Sequence, residues 1–228
     1  MALPVDSFDS YSDGDLTGNN GGTGWVNAYT ANAVYDVQGT TVYAGAKAVS
    51  FVKTDNVAIT RTYDTQTADG TVFSFAIRQS GASAAGNWRV FFANGATGYY
   101  TFVNVNTVNI NSNDGTTLDA VTVVANYALD TWYFIEIEFK FSDGTYRIRV
   151  DGGTWSSYVA RYTAATQITT FQVICNSTES GVTGFLDEIG GTMISATSIK
   201  TFNGLARASV KTVNGLAIAS VKTVNGLA

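Results

Sequence analysis

The side chains that could do chemistry are few, and several kinds are missing. The chain has no histidine and a single cysteine, Cys175. That removes Ser-His-Asp and Cys-His nucleophile systems, His-ligated zinc and haem-histidine ligation. It also removes an intrachain disulfide or a thiolate cluster. Cys175 sits in the apolar run Phe171-Gln-Val-Ile-Cys175, the setting of a buried structural thiol. No glycine-rich phosphate motif occurs, and the basic residues of the body are scattered. What remains is aromatic and amide chemistry. Trp88, Arg89, Tyr99, Tyr100 and Asn104 fall on consecutive strand-like runs. Rings for the CH faces of a sugar, with amide or charged groups for its hydroxyls, are what a glycan site needs. Trp25, Trp155, Tyr158 and Tyr162 are further aromatic candidates. The competing expectation is that most of these rings are core, because aromatics normally supply buried packing.

The elements that must position these residues follow from composition and pattern. The chain has 228 residues, 45% hydrophobic and only 14% charged. That is enough apolar material for one all-β domain of ordinary size plus an appendage. Gly 23 against Pro 1, with 13% aromatics, fits many strands and tight turns. Lys+Arg 13 against Asp+Glu 18 argues against nucleic acid as a partner. Met1-Ala-Leu-Pro-Val is followed at once by Asp6, Asp9, Asp13 and Asp15, unlike an export signal. No run approaches the roughly 20 apolar residues of a membrane span, so no membrane insertion is expected.

Two regions differ, 1–197 and 198–228. From Ser198 the sequence reads SIKTFNGLARA, SVKTVNGLAIA, SVKTVNGLA, a period of 11. Lys200, Lys211 and Lys222 mark it, as do Asn203-Gly204, Asn214-Gly215 and Asn225-Gly226. Each Asn-Gly step flanked by β-branched residues is a hairpin signal. Val210-Lys-Thr-Val213 should turn at Asn214-Gly215 into Leu216-Ala-Ile218-Ala219. Strands this short do not stand alone, so the tail should pack on the body or on other chains. The tail holds four bases and no acid, whereas the body holds nine bases and all 18 acids, a net charge of −9.

In the body, runs of period two predict strands. Val72–Ile77, Trp88–Phe92, Tyr99–Val105, Thr117–Val124, Gln167–Ile174 and Gly184–Ile189 are such runs. Trp132–Phe141 is the clearest. Ile135, Ile137, Phe139 and Phe141 should face one way, and Glu136, Glu138 and Lys140 the other. After the turn Ser142-Asp-Gly-Thr145, Arg147 and Arg149 on the return strand should sit across from those glutamates. Antiparallel strands at this spacing, with polar turns, predict a two-sheet sandwich.

The body then resembles a known family, the laminin-G-like, concanavalin A-type jelly rolls. The resembling residues are Asp6-Ser-Phe8 with Gly18 and Gly21-Gly-Thr-Gly-Trp25, the hairpin from Asp130-Thr-Trp132 through Asp143-Gly-Thr-Tyr-Arg, and Gly184-Phe-Leu-Asp-Glu-Ile189. The resemblance covers about residues 5–194. It implies an all-β antiparallel jelly roll in which the aspartate-phenylalanine opening lies beside the closing strand. If those ends meet, Asp6 or Asp9 with Asp187 or Glu188 would offer oxygen ligands for a structural calcium. Solvated turn carboxylates are the competing expectation. Concanavalin-type hydrolases carry an ExDxxE strand, which Glu136-Ile-Glu138 and Asp187-Glu188 do not match, so no enzyme is expected.

The tail resembles C-terminal repeats of phage structural proteins and some bacterial surface proteins. Together these observations predict a virion protein of fibre, spike or capsid-decoration type, or an extracellular one, and a homo-oligomer, a trimer by analogy with fibres. The oligomerisation or attachment residues would be Lys200, Asn203, Gly204, Lys211, Asn214, Gly215, Leu216, Ile218, Lys222, Asn225 and Gly226. Partners would be further copies, other virion or surface proteins, and cell-surface glycans. A carbohydrate-binding adhesion module and a subunit of a bacterial extracellular filament are the alternatives.

Overall fold

The computed structural model describes residues 3–30, 34–52, 57–82, 88–95, 98–106, 108–113, 116–117, 121–175 and 181–190. In the tail it describes 201–202, 205–206, 212–213 and 216–217. The chain divides into two units, Met1–Gly191 and Thr192–Ala228. Among the described residues every regular element is a strand, numbered here in chain order.

The first unit is a sandwich of two antiparallel sheets, as the strand pattern predicts, with the all-β jelly-roll architecture that the resemblance implies. One sheet has eight strands. Across it run β1 (Gly14–Asp15), β2 (Tyr35–Gln38), β3 (Ala48–Val52), β14 (Thr183–Asp187), β5 (Thr71–Ser80), β10 (Tyr133–Lys140), β11 (Thr145–Val150) and β12 (Val159–Ala160). The other sheet has six strands: β4 (Val57–Gln66), β13 (Ile168–Cys175), β6 (Trp88–Asn94), β7 (Gly98–Val105), β8 (Ile110–Ser112) and β9 (Val121–Val124). Neighbours such as β3 and β14, far apart in sequence, close the roll from both chain ends.

Alternation decides which side chains meet between the sheets. On β10, Ile135, Ile137 and Phe139 are buried while Glu136, Glu138 and Lys140 keep part of their surface in solvent, as the period of two requires. Phe73 and Phe75 of β5 meet Phe92 of β6 and Phe171 of β13 across the gap, at ring separations of 4.9 to 6.4 Å. Tyrosine hydroxyls then tie sheet to sheet. Tyr100 of β7 donates to the Lys140 and Thr145 carbonyls at 3.1 and 3.2 Å. Tyr35 of β2 donates to the Val173 carbonyl at 3.3 Å. Tyr146 of β11 donates to the Asn113 carbonyl. A buried hydroxyl must find such a partner, so these bonds fix the sheets' relative position as well as filling space.

The sequence analysis places no strand between residues 26 and 71, where the structure has β2, β3 and the ten-residue β4. Of the run expected over Thr117–Val124, Val121–Val124 is a strand, 118–120 lie outside the described residues, and β8 precedes it. Ahead of β2 the opening segment meets the closing strand. Asp6 and Ile189 exchange both backbone hydrogen bonds, at 2.8 and 3.0 Å. Next to that bridge Gly190 has φ 69 and lies against the Pro4 carbonyl, so a side chain there would collide.

In the second unit two hairpins repeat one register. Thr201 and Phe202 of β15 (Thr201–Phe202) pair with Ala206 and Leu205 of β16 (Leu205–Ala206). Eleven residues on, Thr212 and Val213 of β17 (Thr212–Val213) pair with Ala217 and Leu216 of β18 (Leu216–Ala217).

Candidate functional site

The glycan residues expected from sequence divide between the two sides of the six-stranded sheet. Trp88, Val90 and Phe92 point into the core, so Arg89 and Phe91 point out. Trp88 is fully buried, T-shaped against Phe51 at 5.1 Å, and its indole N–H donates to Gln79 at 3.1 Å. Tyr100 is also fully buried. The register runs Phe92 to Thr101 and then Ala93 to Tyr99, leaving Tyr100 as the extra residue of a bulge. Its ring turns inward against Phe139 and Phe141, and burial pushes its hydroxyl up to about 12. Trp88 and Tyr100 are therefore core residues, a correction to the expected glycan set.

Arg89, Tyr99 and Asn104 do share the outer face. Cross-strand pairing sets Ala58, Ile174, Arg89, Asn104 and Asn111 in one row. Arg89 Nε donates to Asn104 Oδ1 at 3.2 Å, and its guanidinium lies 5.3 Å from the Phe102 ring. Phe91 packs between Tyr99 and Phe102, and Tyr162 is edge-on to Phe102. However, Phe91, Phe102, Asn104 and Asn111 are all buried, while Arg89, Tyr99 and Tyr162 are half-buried. This row is a packed polar-aromatic layer, and Asn104 is corrected with Trp88 and Tyr100: it offers no surface to a sugar.

The carboxylates at the meeting of the chain ends do not form a cation cage. Asp6 Oδ2 accepts from Tyr11 at 2.6 Å, Tyr29 at 3.1 Å and Arg61 at 2.8 Å, and Oδ1 accepts from the Phe8 amide. Arg61 and Asp6 are each 1% exposed. Asp187 takes the Tyr43 and Ala44 amides on one oxygen and the Glu188 amide on the other. Desolvation pushes its carboxyl up to about 8 against those three donors. Asp9 Oδ1 accepts from the Ala46 and Lys47 amides. Among the described residues no three such groups converge on a metal position. The ends meet as expected, but both oxygens of Asp6 and of Asp187 are taken by protein donors, and the exposed Asp9 engages donors through Oδ1, so the three do not converge on a calcium ion. Burial, with Asp9 and Asp6 nearby, raises Glu188 as well.

A third arrangement lies on the outer face of the eight-stranded sheet. Glu136 stands opposite Arg149, and Glu138 opposite Arg147, the register expected from sequence. Both pairs are bidentate. Arg149 reaches Glu136 at 2.7 and 2.7 Å, and Arg147 reaches Glu138 at 3.1 and 2.8 Å. Arg147 holds Glu138 below the usual carboxylate range, helped by the Tyr158 hydroxyl. Trp155, between β11 and β12, lies over both guanidiniums, 4.9 Å from Arg147 and 4.4 Å from Arg149. Tyr158 lies 5.0 Å from Arg147 and 5.6 Å from the Lys140 ammonium, and its hydroxyl donates to Glu138 at 2.6 Å. Tyr158 is 43% exposed and Trp155 half-buried.

In the tail, Leu216 lies in β18. Lys200, Asn203, Gly204, Lys211, Asn214, Gly215, Ile218, Lys222, Asn225 and Gly226 lie outside the described residues. Sequence reasoning missed Arg61, whose five donors organise the opening segment, and the Phe91–Phe102 layer. Alternation from the apolar set Trp88, Val90 and Phe92 was the available signal for Phe91. Nothing local announces Arg61, since an arginine in a buried register interrupts the apolar pattern.

No family model matches the chain, and no curated protein matches it in sequence. Solved structures do share its fold. A sialidase is similar over 75% of this chain with TM-score 0.56 and 10% identity, the match spanning 17% of that chain. The binding domain of botulinum neurotoxin serotype D is similar over 74% with TM-score 0.53 and 11% identity, spanning 44% of that chain. The carbohydrate-binding module CBM66 from Bacillus subtilis covers 77% of this chain and 95% of its own, at TM-score 0.49 and 11% identity. At these identities the likeness is one of fold alone: the body is a two-sheet jelly-roll sandwich.

Proposed function

We propose that this chain is a non-enzymatic structural protein of a virion or extracellular surface, with a carbohydrate-binding jelly roll displayed and a repeat tail that joins copies into a homo-oligomer, a trimer. The observation that carries this reading is the tail. Two hairpins with the same two-residue register recur eleven residues apart, and the sequence repeats the unit a third time. Ladders of two residues do not persist alone in water, whereas identical units on several chains could stack into a continuous sheet or rung. The resemblance of the body to laminin-G-like domains and of the tail to phage repeats supports the same reading. Light scattering after size exclusion tests it. The full chain should have three times the 24.2 kDa of one chain, and a truncation ending at Thr197 should be a folded monomer. A monomeric full chain overturns the assembly role.

A second reading, a carbohydrate-adhesion module with the tail as linker or anchor, is favoured by the half-exposed Trp155 and Tyr158 rings. Affinity electrophoresis of the full chain in polysaccharide-containing gels tests it. Retardation by a polysaccharide is expected, and unretarded migration in every gel overturns it.

A further inference from the structure

We infer that Trp155 and Tyr158 form a stacking platform for a neutral polysaccharide on the outer face of the eight-stranded sheet. The inference rests on the carbohydrate-binding reading and gives it a site and a ligand class. Three features point there. First, the two rings share one guanidinium. The Arg147 guanidinium lies 4.9 Å from the Trp155 ring centre and 5.0 Å from that of Tyr158, so the two rings are neighbours on the scale of adjacent sugar units. Arg147 and Arg149 sit two residues apart on one strand face, and both guanidiniums lie against Trp155. Trp155 keeps part of its surface in solvent and Tyr158 is 43% exposed, so ring surface remains for a ligand.

Second, the platform is rigid before anything binds. Each guanidinium is locked by a bidentate carboxylate, and the Tyr158 hydroxyl is tied to Glu138 at 2.6 Å. Rings already held in place lose little freedom on binding, which favours affinity. Third, the charges cancel. Two arginines face two glutamates, and Lys140 pairs with Asp143. A polyanion would meet the Glu136 and Glu138 carboxylates as well as the arginines that pair with them. A neutral chain instead finds apolar ring faces beside carboxylate acceptors and guanidinium donors for its hydroxyls. Each bidentate contact uses two of the five N–H donors of an arginine, which leaves donors for that purpose.

The test is affinity electrophoresis of the full chain in native gels containing xylan, mixed-linkage β-glucan or dextran, with alginate as the polyanion. Retardation by at least one neutral polysaccharide is expected. Trp155→Ala should abolish it, and Tyr158→Ala should weaken it at least tenfold in Kd. Tyr158→Phe, which keeps the ring and loses its tether, should weaken it only several-fold. Val26→Ser, an exposed change in the opening segment, should migrate like the wild type. Circular dichroism and the unfolding midpoint report whether Trp155→Ala folds; if it does not, Tyr158→Ala decides. Wild-type retardation that survives both alanine variants overturns the platform and leaves carbohydrate binding standing. Retardation by alginate alone overturns the neutral ligand. Retardation by none of the four overturns both the platform and the reading beneath it.

Discussion

Replacing Arg61 by alanine should be the most damaging single change in the body outside its hydrophobic core. Arg61 rises from β4 into the opening segment and meets five acceptors. Nε donates to the Asn27 carbonyl at 2.8 Å. One terminal nitrogen donates to Asp6 at 2.8 Å and Tyr11 at 3.3 Å. The other donates to Asn20 at 2.9 Å and the Gly21 carbonyl at 2.8 Å. Trp25 and Tyr29 both pack against the guanidinium, at 4.7 and 4.5 Å. With both partners 1% exposed, removing the arginine leaves the Asp6 carboxylate buried without its counter-charge. Breaking such a pair costs about 3–5 kcal/mol. With a urea slope of about 2 kcal/mol per molar, the midpoint should fall by roughly 2 M. Equilibrium urea unfolding at pH 7, followed by tryptophan fluorescence, measures it. The double variant Asp6→Asn, Arg61→Met removes both charges and should be more stable than Arg61→Ala alone. Arg61→Lys supplies a point charge in place of the planar fork and should fall between wild type and alanine. A loss below about 1 kcal/mol for Arg61→Ala, the size of an exposed pair, would refute the reasoning.

Trp88→Ala should cost about 3–5 kcal/mol by opening a core cavity, and it also strands the Gln79 oxygen; urea unfolding measures the loss, and any polysaccharide retardation should be unchanged in the folded variant. Glu138, held low in the folded chain by Arg147, contributes stability that is complete above the ordinary glutamate range and is lost as pH falls through the depressed value. The stability advantage of wild type over Glu138→Gln should therefore shrink as pH falls below the ordinary glutamate range, as followed by thermal melts; a constant difference would contradict the pairing.

Much of the body was legible because alternation is a local signal. In Trp132–Phe141 the two faces differ at every step, and the turn length then sets Glu136 opposite Arg149 and Glu138 opposite Arg147. The same rule, applied to Trp88-Arg-Val-Phe-Phe92, separates Trp88 from Arg89, so the pair could never have shared a sugar platform. Tyr100 was beyond it, because a bulge shifts the alternation and only the partner strand reveals the extra residue. Strand β4 was hidden by Arg61, a charged group in a buried register whose partners lie 34 to 55 residues away. The Trp155–Tyr158 surface was half visible. The rings were candidates, but their neighbourhood with the ion pairs depends on how the segment after β11 folds back over the sheet.

The account's central claim is that the repeat tail is an assembly element. Light scattering after size exclusion, on the full chain and on the chain ending at Thr197, tests it most directly. The account predicts an oligomeric full chain, three copies in one particle, and a folded monomeric truncation. A monomeric full chain, or a truncation that keeps the same oligomeric mass, would contradict it.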